Sequence, residues 1–501
     1  MSGLLDNLTL GFQVAGTPIN LLFCFFGALL GTLVGVLPGI GPLATIAMLL
    51  PMTYYVDPVT ALVMLAGIYY GAQYGGSTTA ILLNLPGESS SVVTCIDGYK
   101  MARKGRAGSA LAIAAIGSFF AGTVATLLIA LFSPSLTSLA MQFRPADYTA
   151  LMVFGIVSSI VLARGSALKA VGMVLLGLLL GLVGMDVNSG IPRFDFGVLE
   201  LMDGIDFVGV AMGLFGIGEI ITNLEKKPGE QASVSQIGRL MPSRKELGQS
   251  VGPILRGTTI GSILGILPGG GALLSSFAAY MVEKRISKSP ERFGNGAIEG
   301  VAAPESANNA GAQTSFIPLL TLGIPSNALI ALMAGAMMIH GITPGPQVMT
   351  AQPGLFWGLI ASMWIGNLML VIINLPMIGI WVSLLRIPYR LLYLGVLLLC
   401  CIGAYGVSNS TFDIYVVAAF AAIGYLFIKL GFEPAPLVIG YILGPLMEEN
   451  LRRALLLSRG DWTVFVQRPI SLSFLALAIG LFVLVALPHI RSKREVVFVG
   501  D

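Results

Sequence analysis

Apolar positions along the chain run in long blocks, not at the spacing of a one-sided helix or strand. Residues 7–56 contain no Asp, Glu, Lys or Arg, and neither do 107–143 or 306–385, where His340 is the one titratable imidazole. A helix needs about 20 predominantly apolar residues to cross the hydrocarbon core, so these blocks predict several crossings. Two stretches interrupt the pattern with Ser, Thr, Asn and Gln: 73–95 (QYGGSTTAILLNLPGESSSVVTC) and 305–332 (ESANNAGAQTSFIPLLTLGIPSNALIAL). In each, an apolar piece of roughly ten residues, too short to span, ends at a proline, Pro86 or Pro325. Each therefore predicts a re-entrant hairpin: a half-helix in, a break at the proline, and a half-helix out. Irregular backbone at membrane depth survives only when buried in protein or lining a wet cavity.

These two stretches belong to a longer internal repeat. GTLVGVLPGIG at 31–41 returns as GSILGILPGGG at 261–271, with Gly31, Gly35, Leu37, Pro38, Gly39 and Gly41 matched 230 positions later. Gly71-Ala72-Gln73 returns as Gly311-Ala312-Gln313, followed each time by the apolar piece and its proline. The expected organisation is a first repeat at 15–225, a polar linker at 226–249, a second repeat at 250–451 and an extra helix at 470–488. Short cytoplasmic loops carry the excess of Lys and Arg, and here the excess alternates between the halves. Lys100, Arg103, Lys104 and Arg106 follow the first proline break, whereas the loop after Pro325 has no basic residue. Before the breaks the asymmetry reverses: Asp57 in one half, Lys284, Arg285, Lys288 and Arg292 in the other. The two repeats are therefore expected to be inverted, with the N-terminus outside and the C-terminus inside. The fold expected is an all-α polytopic membrane protein of two inverted-topology repeats with re-entrant hairpins and broken helices.

Composition agrees and closes other possibilities. Of 501 residues, 55% are apolar and 11% charged, less than half the roughly 25% charge of a soluble protein. A net charge of +3 gives no nucleic-acid footprint, and two histidines, His340 and His489, exclude a multi-histidine metal site. Cys24, Cys95, Cys400 and Cys401 lack CxxC spacing and read as apolar fillers. No phosphate-binding loop or dinucleotide fingerprint is present, so transport would be driven by a gradient or a partner chain. An intramembrane hydrolase would need a nucleophile with a base or metal, for which the histidines are too few. A stand-alone channel would need a continuous polar pore or filter ring, which paired proline breaks suit less well than an occluding site.

Inverted repeats place substrate near the midplane, at helices interrupted by Gly or Pro. The LPGxG pair, with Gly39, Gly41, Gly269 and Gly271, is either a tight interhelical turn or a substrate-facing break. The hairpin pair says more. Ser89, Ser90, Ser91 and Gly87 after one break, and Ser326 and Asn327 after the other, would sit at half-helix N-termini. Unpaired N–H groups and the positive dipole end attract anions there, although the same side chains can simply cap their helices. Thr78, Thr79, Asn84, Gln313 and Ser315 line the arms. Two such tips meeting at a pseudo-two-fold axis would hold a substrate with two or more carboxylates, and unwound carbonyls could hold Na⁺. Glu305, with Asn308 and Asn309 beside it, would serve proton coupling or complete the second hairpin's entrance. Glu448 and Glu449 precede Arg452 and Arg453 and read as an interfacial ion-pair cluster.

GVLPGIGPLATIAMLLP, YYGAQYGGSTTAILLNLPGE, the APESANNA–GAQ–PLLTLGIPS stretch and GYILGPLMEENLRRAL together resemble the large integral-membrane subunit of the tripartite tricarboxylate transporter family. The resemblance covers about residues 15 to 488. It implies a secondary, cation-coupled symporter for di- or tricarboxylates such as citrate in the bacterial inner membrane, not an enzyme. It also implies a small four-helix membrane subunit and a periplasmic substrate-binding protein as partners, Na⁺ or H⁺ as coupling ion, and an elevator mechanism. The other functional readings are a stand-alone ion channel or a carrier for another small organic acid.

Overall fold

The structure, a computed structural model, describes residues 2–37, 41–163, 166–186, 189–218, 221, 240–267, 271–384, 405 and 410–486. It is built of helices, with one two-residue antiparallel pairing, Gly184–Met185 against Pro192–Arg193. The first half comprises α1 (Ser2–Ala15), α2 (Pro18–Val36), α3 (Pro42–Thr53), α4 (Pro58–Leu83), α5 (Val92–Met101), α6 (Ala107–Ala140), α7 (Pro145–Leu162), α8 (Ala167–Gly181) and α9 (Phe207–Ala211). Then follow α10 (Arg244–Ile266), α11 (Gly271–Ile286), α12 (Glu299–Thr314), α13 (Phe316–Leu322), α14 (Ala328–Ile339) and α15 (Pro353–Asn374). The chain ends in α16 (Thr411–Lys429), α17 (Ala435–Leu457) and α18 (Pro469–Ala486). Proline opens α2, α3, α4, α7 and α15, where its missing N–H would have been an orphan in any case. Ser243 caps α10 through Glu246 in a reciprocal box, so the polar linker is helical from Arg244 onward.

Four described stretches are long and apolar enough to cross a membrane: Pro18–Val36, Ser89–Ala140, Pro353–Asn374 and Thr411–Lys429; α3, α8 and α14 are shorter apolar helices. Leu22, Phe25 and Phe26 of α2, Leu127, Leu131 and Phe132 of α6 and Leu477, Ile479 and Phe482 of α18 point outward. An uncovered apolar surface of this extent is what a lipid-facing protein presents.

Two helix pairs form the most extensive packing, and they correspond in sequence. Gly27, Gly31 and Gly35 of α2 lie on Met64, Ile68 and Ala72 of α4; Gly257, Gly261 and Gly265 of α10 lie on Ala303, Ala307 and Gly311 of α12. A Cβ at any of these six glycines would strike the facing backbone. Membrane helices associate through such small-residue stripes, because lipid supplies no hydrophobic drive between them.

The sequence-based half-helices need correction. The arm entering the first break is α4, a single helix of 26 residues. The short apolar piece is its last part. In the second half α12 and α13 run from Glu299 to Leu322 with only Ser315 between them. Polar side chains do not interrupt a helix whose backbone bonds are satisfied internally, so the run from Gln73 to Thr79 stays helical. The breaks themselves fall at the prolines: Asn84 (φ 59°) and Gly323 (φ 75°) cap the arms in the left-handed conformation, just before Pro86 and Pro325.

Three basic segments meet at one end. Lys104 Nζ donates to the Asn295 carbonyl at 2.6 Å, and Arg106 pairs with Glu246 at 2.8 Å and reaches the Gly296 carbonyl at 3.4 Å. Burial raises the Glu246 carboxyl, but hydrogen bonds from Ser243 and Arg106 outweigh it and hold the group at about 2. Asp97 of α5 is fully buried at this junction and accepts from Tyr280 Oη (2.9 Å) and the amides of Gly294 (2.9 Å), Gly296 (2.7 Å) and Ala297 (2.8 Å). Elsewhere Arg193 and Arg452 share Asp186 and Glu448, and Arg453 pairs with Glu449, an ion-pair cluster at the position the sequence indicates. Arg468 grips the buried Asp147 and fixes the start of α18 to the start of α7.

Candidate functional site

At the first tip, Glu88 caps a 3₁₀ turn, Ser89–Ser91, that leads into α5. Its carboxylate accepts from the Ser90 amide at 3.1 Å and from the Ser90 hydroxyl, and Ser91 Oγ donates to the Glu88 carbonyl at 2.8 Å. An acid of the chain therefore already occupies this helix start, the position at which the sequence suggested a bare anion site. Gln73 Oε1, 2.9 Å from Ser90 Oγ, is the alternative acceptor for the same hydroxyl hydrogen. Ser90 and Ser91 are buried, whereas Ser89 and Asn84 are exposed. Gly87 has no room for a side chain, because the Gly35 carbonyl fills the space.

The second tip is built in the same manner from different residues. Asn327 caps α14 by accepting from the Ile330 amide at 3.0 Å. Its Nδ2 donates to Ser315 Oγ (3.3 Å) and to Tyr69 Oη (3.4 Å), while Ser326 Oγ donates to the Ser315 carbonyl (3.1 Å). Tyr69 belongs to α4, so a first-half side chain reaches the second-half tip. The 3₁₀ turn of the first tip packs in turn on α11, whose first residue, Gly271, faces Asn327. Thr79 and Ser315 are spent locally: Thr79 Oγ1 donates to the Gly76 carbonyl at 3.1 Å, and Ser315 Oγ to the Gly311 carbonyl at 2.6 Å. Gly41 precedes α3 in extended conformation and Gly271 has φ +50°. Gly39 and Gly269 lie outside the described residues.

On α4 and α12, the helices leading into the breaks, some buried amides lack partners. Gln73 Nε2, both amide atoms of Asn308 and both of Gln313 have no hydrogen-bond partner among the described residues, and all three side chains are buried. Buried polar atoms are normally satisfied, so these three side chains on the helices leading into the breaks stand out. Glu305 lies one turn away from Asn308 and Asn309 and is fully buried. It accepts from Ser77 Oγ at 2.5 Å and from Thr94 Oγ1, and Asn309 Nδ2 donates to Ser118 Oγ at 2.7 Å. Thr78 and Ser77 line a cavity of about 20 Å³ together with Tyr74, Ser118 and Asn374.

Four residues of this region escape a reading of sequence alone: Gln73, Ser77, Thr94 and Tyr69. The repeated Gly-Ala-Gln did carry a signal for Gln73. Nothing in the Tyr69-Tyr70 pair distinguishes a tip contact from core packing.

Comparison with known proteins adds the following. Residues 21–439 match the family described as "Tripartite tricarboxylate transporter TctA family". The chain is 59% identical over 501 residues, all of both chains, to the "uncharacterized 52.8 kDa protein in TAR-I ttuC' 3'region" of Agrobacterium vitis. It is 60% identical over 241 residues, 48% of this chain and all of the other, to the "uncharacterized protein in TAR-II ttuC' 3'region" of the same organism. No solved structure matches.

Proposed function

Because the chain belongs to the tripartite tricarboxylate transporter TctA family, a family of membrane transporters, we propose that it performs cation-coupled uptake of di- and tricarboxylates such as citrate. In this reading it is the transport subunit of a complex in the bacterial inner membrane. A periplasmic binding protein delivers substrate and a small membrane subunit completes the assembly. The observation that carries the reading is the pair of proline-broken tips with the unpartnered buried amides of Gln73, Asn308 and Gln313 on the helices that lead into them. Amide and hydroxyl donors without a fixed positive charge suit a carboxylate that must be released again on the far side. Ser90, Ser326 and Asn327 stand at the tips, where a bound carboxylate would take the donors they now give to neighbouring protein groups.

The inverted arrangement of the repeats draws support from the matched glycine stripes and from the meeting of basic segments 100–106, 244–246 and 292–296 at one end. With that end cytoplasmic, the N-terminus is periplasmic and the C-terminus cytoplasmic. An elevator motion would carry both tips together against the remaining helices. Reconstitution tests the whole reading: vesicles holding this chain and both partner subunits should take up citrate saturably, only under an imposed cation gradient. High-affinity uptake by the chain alone, or flux indifferent to any gradient, would overturn it.

A further inference from the structure

We propose that the coupling ion is a proton and that Glu305 carries it, with Ser77 and Thr94 as the groups that report its charge to the first tip. The inference rests on the transport reading above and narrows its cation to one species. Glu305 is fully buried on α12, and none of the described Lys, Arg or His side chains forms an ion pair with it. A carboxylate so placed costs several kcal/mol unless its charge is compensated or removed. Two hydroxyls, Ser77 Oγ and Thr94 Oγ1, compensate part of that charge.

The site also accommodates the neutral form without stranding a polar group. A proton added at Oε2 lets the new O–H donate to Ser77 Oγ. The Ser77 hydroxyl then turns its own hydrogen to the Gln73 carbonyl, already 3.0 Å away. One proton enters, one negative charge disappears, and every group keeps a partner. The proton has a source: Ser77 also lines the cavity of about 20 Å³ shared with Tyr74 and Ser118, and about 10–15 Å³ holds a water. The titratable groups beside Glu305 include Tyr74 of α4 and Cys95 of α5, whose ordinary pKa values lie above the neutral range; Glu88, capping the 3₁₀ turn that packs on α12, accepts from the Ser90 amide. On the other elements packed around α12, Arg256 of α10 is tied to Glu283 of α11, and Asp97 of α5 to Tyr280 of α11 and backbone amides.

The geometry links this proton to transport. Ser77 stands on α4 before the Pro86 break and Thr94 on α5 after it, whereas Glu305 belongs to the second half. A charged Glu305 draws both arms of the first tip onto α12; a neutral one keeps Thr94 as a donor by a weaker bond and holds Ser77 by a reversed one. Gln73, whose carbonyl receives the Ser77 hydrogen, also offers the Ser90 hydroxyl of the tip an acceptor through its side chain.

Two measurements test the proposal. Infrared difference titration of the purified chain, without substrate, should show the carbonyl stretch of a buried carboxylic acid appearing as pH falls. Glu305→Gln should abolish that band. Ser77→Ala, which removes a donor to the anion, should move its midpoint up by about one pH unit. Vesicles holding the complete complex, with citrate as probe, should accumulate it under a pH gradient without sodium; Glu305→Gln should lose that accumulation and keep citrate counterflow. Undiminished pH-driven accumulation by Glu305→Gln would overturn the proposal, as would wild-type accumulation driven by sodium alone or a band indifferent to both substitutions. Absence of counterflow in the wild type would instead defeat the transport reading, and the infrared signal would still decide whether Glu305 takes the proton.

Discussion

Replacing Asp97 with Ala should release the segment 290–300 from α5, and the size of the effect can be worked from its contacts. The carboxylate accepts from four groups: Tyr280 Oη and the amides of Gly294, Gly296 and Ala297. Gly294 is half-buried and can turn to water, but Tyr280, Gly296 and Ala297 are buried. Each stranded buried donor costs about 1–3 kcal/mol, so three bound the loss at roughly 3–9 kcal/mol. Relaxation of the loop and coupling between neighbours bring the expectation to about 4 kcal/mol. At 1.4 kcal/mol per tenfold this is about a thousandfold rise in opening. Hydrogen exchange read on peptides covering 290–300 should accelerate by about that factor, provided the segment opens locally and not with the whole chain. Asp97→Asn should fall between the two, since it keeps an acceptor oxygen but loses the charge. The exposed Asp6 of α1, replaced by Ala, serves as control. Unchanged exchange in Asp97→Ala would show that the carboxylate does not hold this junction.

Two further expectations concern the tips and the topology. Ser90→Ala or Asn327→Ala should weaken citrate binding to the complex about ten- to hundredfold, from the loss of about 1–3 kcal/mol of hydrogen bonding. Ser473→Ala, on the C-terminal helix, should do little, and unchanged affinity in both tip variants would move the site toward the LPGxG segments. Single cysteines at Arg103 and Ser287 should label from the cytoplasm and one at Thr350 from outside; labelling of 103 and 350 from one face would refute the inversion. Arg103 is preferred to its neighbour Gly105, whose φ of +75° would strain a cysteine.

What could be read in the sequence was whatever the solvent or the backbone dictates locally. Lipid forbids charge over long runs, so the uncharged blocks announced crossings. Proline removes a backbone donor and disfavours the helix just before it, so Pro86 and Pro325 announce breaks and both occur there, although Pro134, Pro253 and Pro304 sit inside α6, α10 and α12. Helix length was misjudged for a related reason. By hydropathy the polar run from Gln73 to Thr79 reads as the edge of a short half-helix, because hydropathy measures what a residue would do in lipid. These side chains never meet lipid: Gln73, Ser77, Thr78 and Thr79 are all buried against other helices, and α4 passes through them unbroken. Partner identity was the least legible property. Glu305 finds Ser77 and Thr94 at separations of 228 and 211 residues, and Asp97 finds Gly296 at 199. No periodicity within one segment encodes such pairs. An acid in the membrane could be marked from sequence as functional, but whether it meets a cation, a hydroxyl or a backbone amide depends on which helices the duplicated halves bring together. That difference separates the two buried acids of this site. Asp97, ringed by fixed amides and one phenol, joins α5 to the second half. Glu305 instead accepts from two side-chain hydroxyls, Ser77 and Thr94, and the Ser77 hydroxyl has a second acceptor in the Gln73 carbonyl.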